Sequence, residues 1–201
     1  RDTFAYGSNY TDVTNALGHT VRYNYSTVKG IKRLSSVSRP ASTACPAASA
    51  ATSYDTRGYI SVETDFSGNQ TFYTWNDRGE LQEQRTGVGP APGSSIANQQ
   101  KTTYGWDTSR NLMTRVSSYG NSASIQAETL YTYYPDTDPA KARLLQQVDV
   151  CAPNCTSGSK RTTTYSYVTR TNRMIQTVTV DGPVAGTGDA VVYQYDTAGN
   201  L

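Results

Sequence analysis

The chain has 201 residues, with 16 Tyr and 16 Gly but only 3 Phe, and its 18 basic and 16 acidic side chains give a formal net charge of +2. Tyr, Thr and Val suit a pleated, half-buried surface, and Gly and Asn suit tight turns. The composition is therefore that of an all-β chain rich in turns and too aromatic to be disordered. No Lys/Arg block points to nucleic acid or to an anionic membrane surface, and no apolar run is long enough to span a bilayer.

Arg1–Thr14 carries strand-like residues, Phe4-Ala5-Tyr6 and Tyr10, without a complete repeat of its own. From there a short pattern recurs. Tyr23-Asn24-Tyr25-Ser26 is followed by Thr52-Ser53-Tyr54-Asp55, Tyr73-Thr74-Trp75-Asn76 and Tyr104-Gly105-Trp106-Asp107. Tyr131-Thr132-Tyr133-Tyr134, Tyr165-Ser166-Tyr167-Val168 and Tyr193-Gln194-Tyr195-Asp196 complete about seven units. The step between units varies, from 21 residues (Tyr54 to Trp75) to 34 (Tyr133 to Tyr167), as loops inserted between fixed units would make it.

Each unit has a second half. Asp55 leads to Gly58-Tyr59-Ile60, Asn76 to Gly79-Glu80-Leu81, and Asp196 to Gly199-Asn200-Leu201. Asp107 leads to Arg110-Asn111-Leu112, with Arg where Gly is expected, and Ser26 reaches Gly30 one residue late. The fifth copy is interrupted by Pro135–Arg143 before Leu144, and the sixth has Thr171-Asn172-Arg173-Met174 with no Gly. Leu17-Gly18-His19 and Ser67-Gly68-Asn69 read as one further turn used twice.

The spacing has a direct physical meaning. Residues i and i+2 of a strand point to one face, so Tyr-x-Tyr puts two rings on the same side of a sheet. The Asp or Asn that follows starts a turn by accepting hydrogen bonds from backbone N–H groups just ahead. Gly three residues on takes positive φ without steric cost, and Leu or Ile opens the return strand. One such hairpin buries too little to be stable alone, whereas hairpins stacked edge to edge form an aromatic ladder. Pro40–Ser53, Gly87–Gln100, Cys151–Lys160 and Asp181–Asp189 are expected to be surface loops. Asp138–Gln147 has the best helix start, but Leu144-Leu145 is expected to open a strand instead.

Three cysteines are present. Cys151 and Cys155 are either loop thiols or a local disulfide, and with His19 the only histidine there is no ligand set for a metal. Asp55, Asp107 and Asp196 recur at one repeat position, so turn formation accounts for them. His19 is a turn or surface residue, Gly87-Val88-Gly89 lacks the Lys-Ser/Thr of a phosphate loop, and Trp75 and Trp106 sit at the ring-packing position. No catalytic residue, cofactor or metal is expected.

Tyr-x-Tyr-Asp-x-x-Gly-x-Leu, clearest at Tyr73–Leu81 and Tyr193–Leu201, resembles the YD repeat of bacterial Rhs proteins, of the C components of Tc insecticidal toxin complexes and of teneurins. The resemblance implies tandem β-hairpins in a spiralling sheet that forms part of a hollow β-shell, spanning the whole chain as a fragment of a longer array. It implies a secreted or cell-surface bacterial protein whose partners are neighbouring repeats and an enclosed C-terminal toxin domain. The alternative is an adhesion scaffold whose exposed aromatics bind cell-surface glycans. The family's self-cleaving aspartyl site has no matching segment, so no catalytic role carries over.

Overall fold

The computed structural model describes residues 1–41, 46–88 and 99–201. It is all-β: among the described residues there are fifteen strands, each antiparallel to the next wherever a pairing register is resolved. They fall into two compact units, Arg1–Lys101 and Thr102–Leu201. Cys45 lies outside the described residues, as do the middle of the expected Gly87–Gln100 loop and part of the Pro40–Ser53 loop.

The first unit contains β1 (Thr3–Tyr6), β2 (Tyr10–Thr14), β3 (Thr20–Val28), β4 (Ile31–Arg39), β5 (Ala48–Tyr54), β6 (Ile60–Thr64), β7 (Gln70–Trp75) and β8 (Leu81–Val88). Strand pairing follows chain order throughout. One reading of the sequence needs correction here. Ala48–Ser53 belongs to β5 and not to a loop: apart from Thr52 its small side chains carry no strand preference, but the ladders to β4 (Ser36↔Ala51) and β6 (Ala51↔Thr64) bond its backbone on both sides. The strand-like residues of Arg1–Thr14 form the β1–β2 hairpin, with the Gly7 N–H on the Tyr10 carbonyl in its turn.

The second unit takes in β9 (Gln100–Asp107), which begins at the end of the first, then β10 (Leu112–Gly120), β11 (Ala127–Tyr133), β12 (Leu145–Ala152), β13 (Ser159–Thr169), β14 (Ile175–Asp181) and β15 (Val191–Gln194). These too lie side by side in chain order. The Asp138–Gln147 region is turn followed by β12, without helix.

Neither unit has a thick core. Cys151, 1% exposed, is the one fully buried apolar side chain among the described residues. Most strand residues are half-buried. Cohesion therefore comes from each strand's bonds and side-chain rows with the next, the nearest-neighbour logic of a repeat array.

The rows also settle the faces. In the first unit Thr11↔Tyr23↔Val37↔Ala50 and Thr52↔Glu63↔Thr71 share a face, which places Tyr23, Tyr25, Tyr54, Tyr73 and Trp75 together with Phe4 and Tyr6. In the second, Tyr131↔Val148↔Thr163 and Tyr167↔Val178↔Tyr193 put Tyr131, Tyr133, Tyr165, Tyr167 and Tyr193 on one face. The opposite face of β10–β13 is polar, with the rows Ser117↔Glu128↔Cys151↔Lys160 and Arg115↔Leu130↔Asp149↔Thr162.

Candidate functional site

The recurring feature of the molecule is a turn. At Asp55 the backbone N–H bonds the Tyr59 carbonyl at 2.7 Å and the Gly58 N–H returns to the Asp55 carbonyl at 3.0 Å. The Asp55 Oδ1 accepts from the Arg57 and Tyr59 amides, both at 2.9 Å. Asn76–Glu80 repeats all four bonds, and so does Asp196–Asn200. The two turns at the other end of the hairpins, Asn15–His19 and Asp65–Asn69, are built in the same way, with the His19 backbone both donating to the Asn15 side chain and accepting from the Asn15 N–H. The shared Gly is needed because φ there lies between +78° (Gly18) and +96° (Gly58).

These bonds acidify the turn carboxylates. Hydrogen bonds from Ser109 and Arg110 hold the Asp107 carboxyl at about 2, against an ordinary value of 3.8. The Asn200 backbone and side chain lower Asp196, and the Asn69 side chain and backbone lower Asp65.

The degenerate copies keep the plan by other means. Arg143 (φ +67°) and Arg173 (φ +66°) occupy the left-handed position of the fifth and sixth turns. Tyr134 and Arg170 then stand where Asp usually does, through Arg143 N–H to Tyr134 carbonyl and Arg173 N–H to Arg170 carbonyl. The sixth turn therefore starts at Arg170, two residues beyond Val168, and Tyr167 pairs with Val178 inside the strand. In the fourth turn the left-handed residue is Asn111 (φ +60°) and not Arg110, since Asn tolerates that conformation better. In the first, the strands run three pairs past Tyr25 to a two-residue turn, Lys29-Gly30, with both φ positive.

A second recurring bond, seen at four repeats, ties a hairpin to the one before it. The Tyr54 hydroxyl donates to the Leu34 carbonyl at 2.8 Å, the Trp75 Nε1–H to Ile60 at 2.6 Å, the Tyr133 hydroxyl to Met113 at 2.8 Å and the Tyr167 hydroxyl to Leu145 at 2.9 Å. The acceptor is the first or second residue of the preceding return strand at Ile60, Met113 and Leu145, and is Leu34, which pairs with Tyr25, in the longer first hairpin. Burial raises the Tyr133 and Tyr167 hydroxyl pKa values, so both remain protonated donors. The Trp75 ring also stacks on Tyr59 (5.4 Å between centroids) and Tyr73 (6.4 Å), and Tyr134 meets Tyr167 edge-on at 5.8 Å. Tyr104 and Trp106 lie in β9 and Tyr193 in β15, with Tyr195 just beyond it.

Three further features were not read from the sequence. In five return strands a residue that follows a Leu or Ile is bulged out of the ladder: Ser61, Gln82, Gln146 and Gln176 follow the strand's opening residue and Ser35 follows Leu34, and all five are skipped in the pairings. The recurring Leu/Ile-Ser/Gln dipeptide was the available signal. Arginines bridge consecutive turns, Arg57 to the Trp75 carbonyl (2.9 Å), Arg110 to Tyr134 (3.4 Å) and Arg170 to Tyr195 (2.8 Å), each from a different turn position. Finally, the polar face of the second unit holds nearly buried acids. Glu128 (4% exposed) is bonded by Ser117 Oγ, the Cys155 amide and, at 3.3 Å, Arg115. At Asp149 burial pushes the carboxyl up, but bonds from Thr162, Gln147 and Lys160 outweigh it and leave it lowered.

Cys151 and Cys155 are joined in a disulfide, Cα–Cα 5.1 Å. Among the described residues no group of three or more His, Cys, Asp and Glu side chains is placed to hold a metal ion. The chemistry of the arrangement is that of assembly, in which donors, acceptors and rings are directed at the neighbouring hairpin.

Comparison with known proteins places this architecture. No family model matches the sequence, and no curated protein matches it. Among solved structures the fold is similar to that of TcdB2-TccC3-TEV, with a TM-score of 0.56 at 12% identity over 94% of this chain. The chain spans 10% of that structure's chain length. A porin-like protein from Bacteroides uniformis aligns over 96% of this chain and 91% of its own at 13% identity, with a TM-score of 0.33.

Proposed function

We propose that the chain is a structural segment of an Rhs-type YD-repeat shell, one stretch of a wall of hairpins secreted or displayed by a bacterial cell. Its partners are neighbouring repeats of the same polypeptide, and the wall encloses or presents a C-terminal effector domain. The observation that carries this reading is the ring-to-carbonyl bond repeated at Tyr54, Trp75, Tyr133 and Tyr167, which binds every participating hairpin to its predecessor and has no other evident use. The fold likeness to a small part of TcdB2-TccC3-TEV, a Tc toxin assembly, supports it from outside. The engagement of the Trp75 ring within the sheet favours a wall over a glycan-binding surface, which needs free ring faces.

The test is limited proteolysis of the full-length protein combined with electron microscopy. A hollow particle with a protease-resistant internal domain is expected. An open array that leaves every downstream domain protease-sensitive, and that binds oligosaccharides on a glycan array, would overturn the reading.

A further inference from the structure

Cys151, the penultimate residue of β12, is 1% exposed and paired with Glu128 of β11 on one side and Lys160 of β13 on the other. Its disulfide partner Cys155 lies in the loop that follows and is half-buried. The Cys155 amide donates to Glu128 Oε2 at 2.8 Å. The other carboxylate oxygen takes Ser117 Oγ at 3.2 Å and faces Arg115 Nε at 3.3 Å. One loop N–H thus completes the bonding of a carboxylate that is 4% exposed, and a buried acceptor left without its donor is costly. Asn154 Oδ1 gathers the Thr156 and Ser157 donors, so the far side of the loop is folded by its own bonds. What the disulfide adds is the tether that keeps Cys155 over β11.

We propose that the Cys151–Cys155 disulfide is a redox-controlled lock on the β10–β12 sheet. Oxidised, it holds the Cys155 amide on Glu128 and seals the polar layer. Reduced, it releases the loop, lets water reach Glu128 and loosens β11. The segment then completes its packing only in an oxidising compartment, whatever wall it belongs to. Closing requires a disulfide oxidant of the thiol-exchange type. One protein thiolate attacks the oxidant's disulfide, the second displaces it from the mixed disulfide, and two electrons and two protons leave the protein. Opening by a dithiol reverses this. The reductant's thiolate attacks the sulfur of Cys155, the less buried of the two residues, and the bond pair leaves on Cys151, which takes up a proton. The reductant's second thiol then frees Cys155. Expelling a thiolate at Cys151, buried on the pairing partner of Glu128, is unfavourable, so the closed lock opens slowly while the sheet is folded.

Hydrogen exchange read by mass spectrometry tests this on the whole chain. The samples are the oxidised protein, the protein unfolded and refolded in excess dithiothreitol, Cys151→Ser/Cys155→Ser, and Glu128→Leu in both redox states. Exchange over Ala127–Tyr133 is expected to be about tenfold faster in the reduced protein and in the double variant, with Ile175–Asp181 unchanged. Glu128→Leu, which leaves the Cys155 amide no side-chain acceptor, should abolish the difference between redox states. Equal protection of Ala127–Tyr133 in oxidised and reduced wild-type protein overturns the proposal, as does a redox difference that survives intact in Glu128→Leu. If either variant does not fold, the two wild-type states decide the matter.

Discussion

Gly68 and Gly79 occupy the same place in two turns of the first unit, at φ +83° and +81°, yet their surroundings differ. A Cβ at Gly68 would meet nothing within 4 Å, whereas one at Gly79 would lie 2.2 Å from the Tyr59 hydroxyl. Alanine at either site must adopt a left-handed backbone, at about 1–2 kcal/mol, part of which is offset by the smaller entropy of the unfolded chain. A net cost of about 1 kcal/mol is therefore expected for Gly68→Ala. Gly79→Ala also pushes the Tyr59 ring off Trp75, now 5.4 Å away, and such a stack is worth about 0.5–1.5 kcal/mol. The expected total is about 2 kcal/mol. Urea unfolding followed by tryptophan fluorescence in a Trp106→Phe background would report the Trp75 environment directly. In a Tyr59→Ala background the two substitutions should cost the same, because only the clash distinguishes them. Equal costs with Tyr59 present, or a difference that persists without it, would refute the reasoning.

Other outcomes follow from the same geometry. Tyr133→Phe removes the bond to the Met113 carbonyl and should lower stability by about 1 kcal/mol in urea unfolding. Arg173→Gly relieves a left-handed non-glycine residue and should stabilise the second unit by about 0.5–1 kcal/mol in the same assay. Asp107 is more acidic folded than unfolded, so its contribution is fully present above the unfolded value of 3.8 and disappears as pH falls through about 2. Stability measured against pH should fall across that window, and Asp107→Asn should flatten the fall.

The sequence carried the parts of this fold that depend on side-chain chemistry at a fixed position. Asp or Asn followed by Gly three residues later is legible because only a short acceptor and a residue tolerant of positive φ can make that turn, and Asp55, Asn76 and Asp196 make it alike. Strict alternation fixed the ring face, since Tyr73 and Trp75 must lie on one side wherever the strand is straight. The parts that were missed depend on context. Arg143 and Arg173 adopt positive φ because the flanking ladders impose it, and nothing intrinsic to arginine signals this. The bridging arginines come from three different turn positions, so no spacing reveals them. Glu128 looks like any surface acid until the Cys155 loop folds over it. Ala48–Ser53 has only Thr52 as a strand-forming side chain and becomes β5 through its neighbours' bonds.

The central claim is that this chain is a stretch of wall built from hairpins that bind their neighbours. A cryo-electron microscopy reconstruction of the full-length protein tests it most directly. The account predicts that the outer edges of β1 (Thr3–Tyr6) and β15 (Val191–Gln194), whose residues are all exposed in this chain, pair with further hairpins of the same polypeptide, and that the continued sheet surrounds a separate domain. A reconstruction in which β1 and β15 close on each other as a free-standing barrel, with no domain enclosed, would contradict it.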